Sequence, residues 1–394
     1  MLTLNIQTHI AKSTLMSASP HLHAVSFQVP FPPTYGGIID VYYKLQALKT
    51  AGCRITLHTY RYRCPEAPAL ADVADRVLYY ERATGPASML STLPYIVYSR
   101  RNPRLLEALT ADNAPILFEG LHTCFFLNHP ALRDRFKIVR THNIEHAYYA
   151  ELAKAAPLGY KHTYYRMEAA KLRRYEPQLR HADALLAITP DDRAYFAKQY
   201  PEVRTEWMPC FYDNHRPNPT ADATEPYVLY HANLAVAENV RAAVFLLDEI
   251  VPRLRPGTRV VLAGKAPAEG LKRRAARHPN VRMVADPDQP TMEHLIAQAR
   301  VNVLLTFQST GIKLKLLHAL AKGHGHCLVN TPMLTDGALA PLCTVADTPA
   351  DLAAAIERML AVAPSRLELE ARATFLRTHY DPAENARRIL DLLP

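Results

Sequence analysis

The stretch Ser309–Gly323, STGIKLKLLHALAKG, runs from a turn of small residues into an apolar helix, with Lys313 and Lys315 near the helix start. That end of a helix already carries roughly half a unit of positive charge. Two ammonium groups there ask for an anion, and the free backbone N–H groups of the first turn suit phosphate oxygens. Phosphate binding is the chemistry this pattern offers; a solvated lysine pair is the plain alternative. His318 sits in the middle of the same helix, either as a core histidine or as a ligand contact. Gly36 and Gly37 in PFPPTYGGIID remove side chains where a strand end meets a helix, which permits close backbone approach; turn geometry alone also accounts for them. His142, Asn143, Glu145 and His146 crowd the loop of VRTHNIEHAYY. Two histidines and a glutamate suggest a metal, but no further ligand cluster supports one, and none is expected. Glu119, in LFEGLHT with His122, either receives a hydroxyl or caps the next helix, and capping is the favoured reading.

These residues sit on loops that a repeated strand-then-helix pattern must position. Strands are predicted at Leu22–Val29, Gly52–Tyr60, Ala114–Gly120, Phe136–Asn143 and Ala182–Thr189. A second series is predicted at Tyr227–Leu234, Thr258–Gly264, Asn280–Asp286, Val301–Phe307 and His326–Asn330. Alternation of this kind makes parallel sheets with helices on both faces. Thr189 followed by Pro190, Asp191 and Asp192 reads as a helix start, as does Asp381 followed by Pro382 and Glu384. The helix of the opening stretch is expected to begin near Ile312. Between Phe211 and Pro226 the chain is polar and proline-rich, the best domain boundary. The expected organisation is an extension over 1–20, a first Rossmann-like domain over 21–213 completed by a helix at 378–394, a linker at 214–226, and a second Rossmann-like domain over 227–377.

The 394 residues carry a formal charge of +9 and only 21% charged residues, so a large core is expected. The basic runs Ser99–Arg104, Lys171–Arg174 and Leu271–Arg277 are short. They read as solvated faces, with an anionic membrane surface as the next reading and nucleic acid excluded for want of an aromatic-basic motif. Arg100, Arg101, Arg104, Arg173 and Arg174 are the residues that would meet such a membrane. The six cysteines form no CxxC pair and read as free thiols of a reducing compartment. No signal peptide and no span of ~20 apolar residues is seen, so a cytoplasmic protein is expected, or one peripheral on the inner face of the cytoplasmic membrane. No GxGxxG follows a predicted strand, which argues against a dinucleotide oxidoreductase.

The segment GIKLKLLHALAKG resembles the donor-site signature of GT-B glycosyltransferases of the family 4, retaining group, and the resemblance extends from Leu22 to about Leu393. It implies two Rossmann-like domains facing across a cleft and transfer of a sugar from a UDP- or GDP-sugar to a glycan, lipid-linked or other hydroxyl acceptor, with no cofactor. In that family the helix binds the nucleotide sugar and its two glutamates stand where this chain has Thr310 and His318. The resemblance implies donor contacts from Thr310, Gly311, Ile312, Lys313, Leu314 and His318, and from Asn233, Gly264 and Lys265 on the second domain's other loops. Lys265 and Lys313 would offset the diphosphate's charge. His142 would lie by the transferred sugar, and Gly36, Gly37, Glu119 and Asn143 by the phosphate or acceptor. A non-catalytic nucleotide-sugar-binding partner and a GT-B-type epimerase are the alternatives.

Overall fold

Strands that are apolar on both faces are satisfied only when helices cover both sides of the sheet. The computed structural model describes residues 19–33, 36–62, 64–85, 88, 91–215, 226–308 and 313–394. Among them are two such sheets. The first contains β1 (His21–Ser26), β2 (Arg54–Arg61), β3 (Arg76–Glu81), β4 (Ile116–Glu119), β5 (Lys137–Thr141), β6 (Ala184–Ala187) and β7 (Arg204–Trp207). The second contains β8 (Val228–Asn233), β9 (Val260–Lys265), β10 (Val281–Ala285), β11 (Val301–Leu304), β12 (His326–Val329) and β13 (Thr344–Val345). All pairings are parallel. The strand orders are 3-2-1-4-5-6-7 and 10-9-8-11-12-13. Each order reverses once, between β1 and β4 and between β8 and β11. Ligands of open parallel sheets bind beyond the carboxyl ends of the strands at such a reversal.

The helices that matter for the site are α1 (Gly36–Thr50), α2 (Glu145–Ala155), α3 (Tyr160–Tyr175), α4 (Pro190–Gln199), α5 (Ala237–Phe245), α6 (Gln289–Gln298), α7 (Leu314–Lys322), α8 (Pro349–Ala361), α9 (Arg366–Tyr380) and α10 (Pro382–Leu390). Their starts follow from local chemistry. The Thr189 side chain accepts from Asp192 N and the Asp381 side chain from Glu384 N, with proline in the first turn of both helices. Ser365 and Glu368 form a reciprocal capping box at α9, which satisfies two of the otherwise orphaned donors.

Helix α10 returns to the first sheet. Its Ala386 and Ile389 share a core with Val41, Leu45 and Leu48 of α1. Helix α7 lies in the core of the second sheet through Leu316, Leu317 and Leu320, joined by Ile188 at the end of β6 and by Cys210 and Tyr212 after β7. Ile39 of α1 packs on that same cluster, so α1 touches both halves. Helix α7 begins at Leu314 rather than near Ile312, with Lys313 as its N-cap. Residues 216–225 of the predicted linker, and most of the predicted extension, lie outside the described residues. All six cysteines are free. Among the described residues, no helix is long and apolar enough to cross a membrane.

Candidate active site

The two sheets bring their helix starts together. A methyl built on Gly36 would come 3.8 Å from Leu314 Cδ1. The first residue of α1 therefore lies beside the Leu314 side chain, which brings the amino ends of two helices, each with a partial positive charge, near one another. Gly37 is tighter: a methyl there would lie 3.0 Å from the Phe27 ring, at the end of β1. At Gly36 an added methyl would only touch Leu314, whereas at Gly37 the Phe27 ring would have to shift by a few tenths of an ångström.

On the second sheet, the approach to α7 is fastened from three sides. Glu238, in the first turn of α5, accepts from Thr306 Oγ1 at 3.0 Å and from Phe307 N. Asn330, after β12, accepts from Thr306 N at 3.1 Å and donates to Thr306 O at 2.6 Å. Lys315 donates to Leu305 O at 3.0 Å and to Asn239 Oδ1 at 3.3 Å. Lys315 is thereby a fastener of the loop, and Lys313, the N-cap residue of α7, stands at the helix start. Burial pulls the Lys313 ammonium down to about 8, against the nearby Glu238 carboxylate. Burial, followed by Lys313, does the same to Lys315, also to about 8. Ammonium groups poised this way gain most from an arriving anion. Thr310, Gly311 and Ile312, expected to contact the donor, lie outside the described residues.

The other expected donor residues divide. Asn233 is exposed, and its Oδ1 accepts from Ala235 N at 3.1 Å, forming the turn after β8. Lys265 is exposed at the end of β9. Since β8 lies between β9 and β11, Lys265 and the loop leading to Lys313 start roughly 10 Å apart, two strand spacings. Gly264 has a steric reason that the phosphate reading does not supply: a methyl there would come 2.1 Å from Ala232 O. His318 is half-buried beside Tyr212, and burial, followed by Lys322, takes its imidazole down to about 4. Its Nε2 and that of His231 are buried without a hydrogen-bond partner among the described residues. Below it, Lys322 donates to Asp213 Oδ2 and Glu293 Oε1, each at 2.7 Å, tying α7 to α6 and to the segment joining the sheets.

The first sheet contributes a buried ion network that sequence reading did not find. Lys44 Nζ lies 2.9 Å from Asp40 Oδ2 and 2.9 Å from Glu119 Oε2, and all three side chains are fully buried. Arg140 grips Asp40 through Nε at 3.0 Å and Nη2 at 2.9 Å. Phe211 N adds a bond to Asp40 Oδ1 at 2.8 Å. Burial pushes the Asp40 carboxyl up, but Arg140 and Lys44 outweigh it and hold the group far below the ordinary carboxylate range. His142 joins this network: its Nε2 lies 3.2 Å from Glu119 Oε2 and its Nδ1 3.9 Å from Asp40 Oδ2.

Glu119 corrects the favoured expectation. The following 3-10 turn, Leu121–Phe126, has no side-chain cap; the carboxylate goes to Lys44 and His142 instead. Its Oε1 is buried with no hydrogen-bond partner among the described residues. The metal pattern in the His142 loop does not converge either, because His146 turns away to Glu176 Oε2 at 2.8 Å. Asp40, Glu119 and His142 would suit a cation, but the Lys44 ammonium already stands between the two carboxylates. Asn143 donates to Glu145 Oε1 at 3.5 Å. Burial raises the Glu145 carboxyl to about 8, and His122 Nδ1 is 3.8 Å away. Arg100 is also not a surface group as expected: it is 4% exposed and donates to Phe27 O at 2.9 Å, bracing the β1 end.

A chain of two parallel-sheet domains with helix starts at the carboxyl ends of the strands has the GT-B architecture. Comparison with known proteins agrees with that class. Residues 225–362 match the family described as Glycosyl transferases group 1. The second domain therefore carries the sequence pattern of that family, and the GT-B glycosyltransferase resemblance seen in the sequence is met. An uncharacterized 44.6 kDa protein in the cps region of Klebsiella pneumoniae is 24% identical over 314 residues, covering 75% of this chain and 79% of that protein. The sucrose-phosphate synthase of Thermosynechococcus elongatus has the same fold, with a TM-score of 0.70 at 16% identity over 95% of this chain and 98% of that one. A trehalose-6-phosphate structure from E. coli bound with UDP-2-fluoro glucose gives 0.59 at 15% identity over 94% and 98%.

Proposed function

We propose that the protein transfers a sugar from a nucleoside diphosphate sugar to a hydroxyl acceptor, with the diphosphate seated at the start of α7. The observation that carries this reading is the proximity of two helix amino ends, at Gly36 and Leu314, with Lys313 as the N-cap of α7. The hard step is departure of the diphosphate from the anomeric carbon. Helix-end N–H groups and the Lys313 ammonium stabilise the charge as it develops. Lys265 reaches toward the diphosphate from the far side of β8. The orphaned Nε2 of His318 is offered to a ribose hydroxyl, the task given to glutamate in the family 4 group. His142, held by Glu119, positions the first domain's edge of the site.

Transfer proceeds with retention, as in the family 4 group, and the leaving phosphate takes the acceptor's proton on the same face. The acceptor belongs to cell-surface glycan assembly, a reading supported by the relative in a cps region. The protein meets an anionic membrane through the tip between α2 and α3. There Leu158 is 90% and Tyr160 72% exposed, with Lys154, Lys161 and Arg166 exposed around them. Exposed apolar groups rimmed by cations suit such a surface.

A thermal-shift panel of UDP, GDP and TDP tests the proposal. One of them should stabilise the chain by ~2.7 kcal/mol at a hundred times its dissociation constant, and Lys313→Ala should remove most of the shift. If none of the nucleotides shifted the transition, the reading would fail.

A further inference from the structure

We infer that the opposite end of the first sheet carries a divalent transition-metal site formed by His21, His23 and Asp112, suited to Zn²⁺. His21 and His23 are two residues apart on β1, so their side chains share one face. Asp112 reaches them from the loop before β4. His23 Nε2 lies 3.0 Å from Asp112 Oδ1 and His21 Nδ1 lies 3.7 Å from Asp112 Oδ2. One ligand atom from each residue can be chosen so that all lie within 4.8 Å of one another. Bonds of about 2.0–2.1 Å in a tetrahedral zinc site place ligand atoms roughly 3.4 Å apart, so only small adjustments are needed. Asp112 is 41% exposed at its side chain, which leaves an entry path and a position for water.

A second observation concerns the nitrogens that face away. His21 Nε2 is hydrogen-bonded to Thr56 Oγ1 at 2.9 Å, and His23 Nδ1 to His58 Nε2 at 2.8 Å. His58 Nδ1 continues to Tyr80 Oη at 2.8 Å. Metal-ligating histidines are held in this way by a partner on the outer nitrogen; His23 Nε2 donates to Asp112 Oδ1 at 3.0 Å, and a metal would take the place of that proton. Both partners stand on β2, the strand beside β1. Arg135 Nη2, 3.5 Å from Asp112 Oδ1, and Arg54 oppose a cation, whereas Asp75 favours one. The buried Asp40, Glu119 and His142 set differs in kind, because Lys44 fills its centre. The His21 site is at the amino end of β1, away from the strand ends that face α7. Its metal would clip β1 to the loop before β4 and take no part in transfer. The inference does not depend on the proposed activity.

The test uses the chain without a histidine tag, stripped with chelator and titrated calorimetrically with Zn²⁺, with Co²⁺ absorption as the readout of coordination geometry. The chain holds eighteen histidines, so the variants decide. The parent should bind one ion tightly and show a tetrahedral cobalt spectrum. His21→Asn and Asp112→Asn should each bind at least tenfold more weakly and lose the spectrum. Asn at position 112 can still accept the bond from Ala114 N, so that variant should fold. Absence of zinc binding below about 0.1 mM, or affinity and spectrum unchanged in both variants, would overturn the assignment.

Discussion

Replacing Lys44 by methionine keeps an unbranched side chain of nearly the same length and removes the charge between Asp40 and Glu119. The ammonium lies 2.9 Å from an oxygen of each carboxylate, with all three groups buried. At an effective dielectric near 20, a unit pair at that separation attracts by about 5–6 kcal/mol gross, and desolvation of the ions cancels much of it. What loses its permanent countercharge in the variant is Glu119, left with His142 alone, because Asp40 keeps Arg140. Loss of one partner from a buried pair costs about 3–5 kcal/mol, a large share of a stability of roughly 5–15 kcal/mol. Urea unfolding of Lys44→Met should therefore show a midpoint lower by about 1.5–2.5 M at a slope near 2 kcal/mol/M, with the slope unchanged. Lys44→Met/Glu119→Gln, which removes the stranded charge as well, should recover part of the loss. A midpoint within about 0.3 M of the parent, or a double variant weaker than the sum of the two single changes, would refute this account of the network.

Nucleotide affinity should fall as pH rises above 8. Lys313 and Lys315 have folded pKa values of about 8, lowered from 10.5. Both ammonium groups are therefore charged below that pH, and their charge is lost above it. The empty protein shows the opposite sign: protonation is disfavoured in the fold, so these groups cost stability below pH 8 and the cost fades as pH rises toward the unfolded value. Calorimetric titration with the best nucleoside diphosphate at pH 7 and 9 checks the first sign, and thermal melts without ligand check the second. Gly264→Ala should destabilise by about 1–3 kcal/mol or more, because its methyl would meet Ala232 O at 2.1 Å; denaturant unfolding measures it. Glu238→Ala frees Thr306 and Phe307. It should cost about 1.5–3 kcal/mol per charged hydrogen bond at most and weaken nucleotide binding, whereas a change in stability with affinity untouched would separate the loop from the site.

Much of the architecture was legible because strand and helix alternate with different periods and the caps at Thr189 and Asp381 have a local cause. The edge strands β3 and β7 were not. Each has a neighbour on one side only and is partly exposed; β7, RTEW, lacks the apolar run that marks a central strand, and β3 has only the four residues Val77–Tyr80 between charged ends. The helix starts at Lys313 and Gly36 were readable because a small-residue turn after a strand leads into an apolar helix. The ion network was not, because Asp40 and Lys44 at i and i+4 look like an ordinary solvated pair on a helix. Only the return of Arg140 and Glu119 from neighbouring strands buries them. Lys315 was misread for the same reason: its partners, Leu305 O and Asn239, are set by the packing of α5 beside β11.

The seat of the diphosphate is tested most directly by a crystal structure with the nucleoside diphosphate that gives the largest thermal shift. The pyrophosphate should lie at the start of α7, on the side of Gly36, with an oxygen about 3 Å from Lys313 Nζ. Phosphates bound elsewhere, such as in the 260 Å³ cavity lined by Gly325, Cys327, Glu368 and Arg372, with Lys313 untouched, would contradict it.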